Sequence, residues 1–324
     1  MKTGSWKGKK VLVTGADGFM GSHLTEKLLA SGARVAALVR GTSVSGTYRY
    51  DLKNIAHLRG SLDKLMAVNI SSSDSAAMVA KWAPAVIFHL AADAYVPYSF
   101  ERPFEVMATN LHGTLHMLHA AMKIPNLQRI VCTSSSEIYG TAQSASISED
   151  HPLDPTSPYA ASKAAADRFA FSYYLTYGLP ISIIRPFNTF GPRHTYDVIP
   201  KFIDLALKGQ PLTVYGAGKQ SRDFTYVDDM VNAFLIMGSN PKAVGRAVNF
   251  GTGRDISVNR TAELIVKISG SKSKIVHVKK RLAEVKKLRC NAGLAKKLFG
   301  WKPTISVEEG LRRNIEWARR NPQC

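Results

Sequence analysis

Between Ser134 and Gly140 the chain reads Ser-Ser-Ser-Glu-Ile-Tyr-Gly, and about twenty residues later it reads Tyr159-Ala-Ala-Ser-Lys163. A tyrosine and a lysine at this spacing share one face of a helix, about 6 Å apart along its axis. An ammonium held near a phenol favours the phenolate, so the tyrosine can act as a base near neutral pH. Together with one serine of the cluster, the pair suits oxidation of an alcohol by a nicotinamide. Glu137 adds a carboxylate that simple alcohol oxidation does not need, and it suggests a second proton abstraction. The same carboxylate would also serve as a helix cap or an ion-pair partner.

Positioning these groups requires a scaffold, and the first half of the chain has the pattern for one. Short β-rich runs alternate with helical patterns, the signature of a parallel sheet covered by helices. Strands are expected at Lys10 to Thr14, Arg34 to Val39, Lys64 to Asn69, Ala85 to Leu90, Arg129 to Thr133 and Ile181 to Pro186. Helices are expected over Ser22 to Ala30, with Gly32 as its C-cap, and over Asn110 to Met122 and Tyr159 to Tyr177. The main loops are placed at 41–51 and 141–157. Beyond Pro186 the sequence is punctuated by Gly and Pro. The expected architecture is therefore α/β: a Rossmann-type, doubly wound parallel sheet with a smaller interwoven C-terminal substrate-binding region. Residues 1–186 form the dinucleotide-binding domain and 187–324 the substrate domain, with a late strand at about 247–250 returning to the sheet.

Gly15-Ala-Asp-Gly18-Phe19-Met20-Gly21 follows the first strand and opens the first helix. In that context Gly15 makes the tight turn, Gly18 lets a pyrophosphate approach the backbone, and Gly21 packs helix against strand. Phe19 and Met20 then lie at the helix N-terminus that faces the phosphates. A lone glycine pattern is weak, but this one sits correctly between strand and helix. After the second strand come Arg40, Thr42 and Ser43, with no acidic residue to hold the ribose hydroxyls; this group would accept a 2′-phosphate, and the other reading is a surface arginine with the ribose contacts made by backbone. NADP is therefore slightly preferred over NAD. Asn69 and Ile70 are expected at the adenine edge, and Leu90, Ala91 and Ala92 beside the ribose and nicotinamide.

Composition narrows the partners. The net charge of +19 sets a field that attracts anionic substrates, phosphates included. The basic stretch Lys272 to Lys297 almost lacks the interleaved aromatics of a nucleic-acid platform, so no nucleic-acid partner is expected. No apolar run reaches the length of a membrane span, and the basic N-terminus leads straight into a strand-like run rather than a signal peptide. Cys132, Cys290 and Cys324 are too few and too scattered for a disulfide framework or a zinc site. The expectations are a cytoplasmic protein with reduced thiols and no metal.

Taken in order, these motifs resemble the extended short-chain dehydrogenase/reductase family, and within it the nucleotide-sugar epimerase/dehydratase branch. The resemblance spans nearly the whole chain. Beyond the glycine loop and the Tyr159/Lys163 pair it rests on His89-Leu-Ala-Ala92, Asn110-Leu-His-Gly-Thr114, Arg185-Pro-Phe-Asn-Thr-Phe-Gly-Pro-Arg193, Arg222-Asp-Phe-Thr-Tyr-Val-Asp-Asp229 and Gly300-Trp-Lys-Pro303. Epimerases of this branch usually have small residues where this chain has Glu137, whereas 4,6-dehydratases and UDP-glucuronate decarboxylases carry a glutamate. Ser135-Ser136-Glu137 looks like the Thr-Ser-Glu of GDP-mannose and UDP-N-acetylglucosamine dehydratases; glucose-type dehydratases have an aspartate in place of Ser136.

The resemblance implies an NDP-sugar 4,6-dehydratase, closest to the UDP-N-acetylglucosamine type. Tyr159 takes the C4 hydroxyl proton, Lys163 lowers the phenol pKa and holds the cofactor ribose, and Ser135 hydrogen-bonds the developing ketone. Glu137 removes the C5 hydrogen, and Ser136 or a bound water assists loss of the C6 hydroxyl. NAD(P) would be tightly bound and recycled, since no net redox occurs. Asn188, Arg193, Arg222 and Arg281 match positions that line the nucleotide diphosphate or sugar, where arginine suits phosphate through bidentate donors. Arg193 has a second reading as a structural Pro-Arg corner. A 4-epimerase or a UDP-glucuronate decarboxylase would share the first oxidation; an alanine in place of Asp223, common in the decarboxylases, is absent. A non-catalytic dinucleotide or nucleic-acid binder would account for the charge but not for intact Tyr159 and Lys163. By family, a homodimer is expected through a four-helix bundle of Asn110 to Met122 and Tyr159 to Tyr177.

Overall fold

Strands buried on both faces read as nearly continuous apolar runs, and those of this chain do so. The computed structural model describes residues 6–44, 47–280 and 284–322. A seven-stranded parallel sheet is built from β1 (Lys10–Thr14), β2 (Arg34–Val39), β3 (Lys64–Ala67), β4 (Val86–His89), β5 (Arg129–Thr133), β6 (Ile181–Pro186) and β7 (Ala247–Phe250), in the order β7-β6-β5-β4-β1-β2-β3. Val11 lies opposite Val35 of β2 and Val86 of β4, and Ile130 opposite Ile181. Strand order reverses between β1 and β4, the switch point outside which open α/β sheets bind ligands.

The sheet is flanked by α1 (Phe19–Ala30), α2 (Ser73–Trp82), α3 (Gly113–Met122) and α4 (Pro158–Tyr177). Local chemistry sets their ends. The Ser72 hydroxyl accepts from Asp74 N–H at the start of α2, and the Ser157 hydroxyl accepts from Ala160 N–H at the start of α4, with Pro158 in its first turn. Gly178 ends α4 in a left-handed conformation (φ 64°) that glycine adopts without penalty. Leu12, Leu38, Met66, Ile87, Met117, Leu118, Ile130 and Ile183 form the core that α2, α3 and α4 cover.

Several expected boundaries move, each for a local reason. The third strand stops at Ala67 rather than Asn69, because Asn69 Oδ1 accepts from Ser71 N–H and starts a turn. β4 stops at His89, where Leu90 N–H turns to Thr14 O. The helix expected from Asn110 begins earlier, as Pro103–Met107, widens into a π-turn over Ala108–His112, and only then becomes α3. The expected 41–51 loop contains a hairpin, Thr42–Val44 with Thr47–Arg49.

Contacts divide the chain into two compact units. The first takes Met1–Ser135, Ser157–Arg185 and Val231–Val248; the second takes Ser136–Thr156, Pro186–Met230 and Asn249–Cys324. In the second unit α5 (Val198–Leu207), α6 (Val258–Ser269) and α7 (Val307–Arg320) pack on one another. A three-stranded sheet there sets Ser221–Asp223 between Asp255–Ser257 and Lys287–Leu288. Asp223 is fully buried, and its carboxylate accepts from the N–H groups of Thr252, Gly253 and Cys290.

In the first unit a buried ion pair ties Asp167 of α4 to Arg185 of β6. Arg185 Nε donates to Asp167 Oδ2 at 2.8 Å and its NH2 to Oδ1 at 3.0 Å, both side chains being almost wholly buried. Burial opposes ionisation of Asp167, yet Arg185 and Arg168 hold its carboxyl below the usual aspartate range. Removing one partner leaves a buried charge alone, so Asp167→Ala is expected to lower unfolding free energy by about 3–5 kcal/mol in urea titrations. The ion pair's contribution should be present above the ordinary aspartate pKa and fade as pH falls below it. An Asp167→Ala loss under about 1 kcal/mol, the range of surface ion pairs, would show that the pair does not anchor α4.

Candidate active site

Tyr159 and Lys163 occupy the first turns of α4, where the Ser157 cap and Pro158 fix the helix start. Both are buried. The Lys163 ammonium donates to the carbonyl oxygen of Thr133 at the end of β5. Burial pushes Lys163 down to about 8, while neighbouring Cys132 and Asp167 act to raise it. Ser162 Oγ donates to Tyr159 O at 2.7 Å, closing the turn between them. Ser135, also buried, follows β5 directly, two residues beyond Thr133. The hydroxyls of Thr133 and Ser134 are buried with no hydrogen-bond partner among the described residues. The loop after β5 and the helix α4 thus deliver a serine, a tyrosine and a lysine within one unit.

Ser136 and Glu137 begin a 3₁₀ turn, Ser136–Tyr139, that belongs to the second unit. Ser136 is buried and Glu137 half-buried. Burial raises the Glu137 carboxyl above the usual glutamate range; Arg222 pulls it back down and Asp197 adds to the rise. Tyr139 is a packing residue, fully buried, whose hydroxyl donates to Asn249 Oδ1 at 2.8 Å.

The substrate candidates divide. Arg222 NH1 donates to Ser221 O at 2.9 Å and Val285 O at 2.8 Å, which aims the guanidinium and places its charge near Glu137. Asn188 Oδ1 is a buried acceptor with no donor among the described residues, while its backbone carbonyl accepts from Thr225 N–H. Arg193 sits in a left-handed backbone (φ 69°), a rare conformation for a side chain with a Cβ. Arg281 lies outside the described residues.

The glycine loop forms a cradle that only glycine permits. Gly15 is left-handed (φ 69°), and a Cβ there would lie 2.9 Å from Ala91 N. A Cβ on Gly21 would lie 2.0 Å from Gly15 O. Phe19, Met20 and Gly21 form the first turn of α1, which has neither a side-chain cap nor an acidic residue. That leaves the positive end of the helix available to a phosphate. Asp17, whose charge would repel a phosphate, turns instead to the N–H groups of Lys53, Asn54 and Ile55. Asn69 commits its carboxamide oxygen to Ser71, and Ile70 is buried in the core against Gly113. Leu90 and Ala91 are drawn to β1 through Thr14, with Ala92 next in the turn. The glycine cradle and the uncapped start of α1 fit a dinucleotide phosphate, whereas Asn69 and Ile70, expected at the adenine edge, are committed to a turn and to the core.

Arg40 is not a free cation. Its NH2 lies 2.5 Å from Asp93 Oδ1. Asp93 was no candidate from sequence, nor were the buried groups that support the turn before it. The Thr114 hydroxyl donates to Asn110 O at 2.6 Å, so it accepts from His89 Nε2 at 3.0 Å. That leaves His89 Nδ1 to accept from the Thr14 hydroxyl at 2.8 Å, and the Thr14 oxygen in turn accepts from Ala91 N–H. Burial, then the charge of Lys163, push His89 down to about 3, so this ring is neutral. The motifs His89-Leu-Ala-Ala and Asn110-Leu-His-Gly-Thr114 carried the signal, but pairing across such sequence distances is invisible until the sheet is built. Among the described residues, no cluster of His, Cys, Asp and Glu is assembled to hold a metal.

Residues 12–314 match the GDP-mannose 4,6 dehydratase family. The chain is 34% identical over 318 residues to a UDP-glucuronate 4-epimerase of Thermodesulfobacterium geofontis, covering 96% of each chain. It is 34% identical over 326 residues to a UDP-N-acetyl-alpha-D-glucosaminuronate decarboxylase of Bacillus cytotoxicus, covering 96% of this chain and 98% of that one. Among solved structures, the dTDP-glucose 4,6-dehydratase DesIV of Streptomyces venezuelae superposes with a TM-score of 0.87 at 30% identity, over 96% of this chain and 97% of that one. DesIV was solved with NAD bound, so it lends no support to the NADP preference expected from Arg40. Fold, glycine cradle and matched length lead to one conclusion: the chain is an enzyme of the extended short-chain dehydrogenase/reductase family, among its NAD-dependent nucleotide-sugar epimerases, dehydratases and decarboxylases.

Proposed function

We propose that this chain is a nucleotide-sugar 4,6-dehydratase acting on a UDP-N-acetylglucosamine-type substrate. The observation that carries the reading is Glu137, a half-buried carboxylate two residues beyond Ser135 whose proton affinity burial has raised. A base for an acidified C–H bond works best when its pKa approaches the working pH. NAD(P), held at Gly15, Gly18 and Gly21, would supply the reversible hydride acceptor for this chemistry. Tyr159 takes the C4 hydroxyl proton, the Lys163 ammonium stabilises the phenolate, and Ser135 donates to the oxygen as it becomes a ketone. Glu137 removes the C5 proton and passes it to the C6 hydroxyl, which leaves as water beside Ser136, and the proton that Tyr159 took is returned at C5. The products are the 4-keto-6-deoxy sugar nucleotide and water, with the cofactor regenerated. Asn188, Arg193, Arg222 and Arg281 are assigned to the substrate.

Arg222 favours a second reading. Its charge beside Glu137 suits a C5 carboxylate, as a UDP-glucuronate decarboxylase would require. Mass spectrometry on UDP-N-acetylglucosamine, UDP-glucose, GDP-mannose and UDP-glucuronate separates the readings. Loss of water from an amino- or neutral sugar supports the dehydratase, and loss of carbon dioxide from UDP-glucuronate supports the decarboxylase. Unchanged mass with a new sugar configuration would mean an epimerase and sink both.

The titrating groups set the expected pH profile. Glu137 accepts a proton only when ionised, so kcat/KM should rise through a pKa above the ordinary glutamate value. Lys163 acts only as the ammonium, so the rate should fall as pH rises through about 8. Glu137→Gln is expected to abolish the acid limb and slow dehydration by about 10²–10⁴-fold, the usual range for a general base. Full-rate dehydration by that variant would remove Glu137 from the mechanism.

We also assign a homodimer, cytoplasmic in setting. Phe104 is 80% exposed, and Met107, Met122, Phe169 and Tyr177 are exposed apolar side chains on Pro103–Met107, α3 and α4. Such a patch marks an interaction surface. Light scattering should give twice the chain mass, and Phe104→Glu with Phe169→Glu should give the monomer. A monomeric wild type would exclude the assignment.

A further inference from the structure

Arg40 and Asp93 come from different strands and meet at 2.5 Å. Arg40 follows β2 and Asp93 follows the turn after β4, with β1 lying between those two strands in the sheet. The ion pair therefore spans the carboxyl end of β1, from which the glycine loop departs. Its two partners are not held alike. The Asp93 backbone is clamped by buried Asn110, whose Oδ1 accepts from Asp93 N–H at 2.8 Å and whose Nδ2 donates to Asp93 O at 3.1 Å. Side-chain exposure is 19% for Asp93 but 64% for Arg40. The carboxylate is the fixed partner, and the arginine comes to it.

The end of the second strand is where dinucleotide folds sort their cofactors. A carboxylate there accepts from the adenosine ribose, whereas an arginine receives the 2′-phosphate of NADP. This chain has the arginine in sequence but brings a carboxylate to it in space. We propose that Asp93 is the residue that selects NAD over NADP, acting through Arg40. It engages one NH2 of the guanidinium and sets a like charge against a 2′-phosphate. A ribose hydroxyl meets no such repulsion.

The proposal rests on the glycine cradle being a dinucleotide site, and the test separates the two. Dissociation constants for NAD⁺ and NADP⁺ would be measured by calorimetry on the wild type, Asp93→Asn, and Asp93→Asn with Arg40→Ser. Because Asn110 holds the backbone of residue 93, the single variant should keep the apo melting temperature. The wild type should prefer NAD⁺. Asp93→Asn should shift the affinity ratio toward NADP⁺ by about tenfold, the scale of one freed charge-assisted hydrogen bond, and the double variant should lose that gain. A ratio unchanged in Asp93→Asn, or equal weakening of both cofactors, would reduce Asp93 to a structural role and overturn the proposal. A wild type that prefers NADP⁺ would overturn it too, whereas one that binds neither cofactor would overturn the dinucleotide reading and the proposal with it.

Discussion

An ammonium kept inside a protein is the constraint on which the first unit depends. Lys163 is 3% exposed, and burial alone disfavours its charge. What keeps it usable is a fixed acceptor, Thr133 O at the end of β5, and an anion one helical turn onward, Asp167. Asp167 is itself buried, so it requires Arg185 of β6. Thus the charge at the start of α4 is secured through a carboxylate in its middle and an arginine on the sheet. Helix and strands are locked together by the same groups that keep the lysine protonated.

The switch point is organised by direction as much as by contact. From Ala91 N–H through Thr14, His89, Thr114 and Asn110, the hydrogen bonds settle which atom donates at each step. Asn110 lies in the π-turn and also reaches Asp93 and Ser162. A widened helical turn costs regular hydrogen bonding, and here it coincides with the residue that joins the turn after β4 to α4.

How much of this could be read from the residues depended on distance along the chain. Apolar runs and the glycine loop are local signals, and they place the strands, α1 and the Tyr159/Lys163 helix. Boundaries failed where a side chain intervened, as when the Asn69 carboxamide starts a turn inside an apparently continuous strand. Arg40 shows the deeper limit. Its residue type and position argue for a phosphate, but its electrostatics belong to Asp93, more than fifty positions away. The folded chain alone supplies that pairing. Likewise, the restraint on Arg222 by Ser221 and Val285 carbonyls depends on a loop that no periodicity announces.

The buried ring of His89 has a consequence beyond geometry. Both ring nitrogens are committed, one as acceptor and one as donor, so a second proton has nowhere to go without breaking the chain. In the unfolded state the same imidazole accepts that proton near its ordinary value of 6.5, whereas the fold delays it to about 3. Between those values the unfolded chain binds more protons, so stability falls as pH falls, by roughly 1.4 kcal/mol for each pH unit below 6.5. The residue that holds the Leu-Ala-Ala turn in register thus also makes the fold less stable in mild acid.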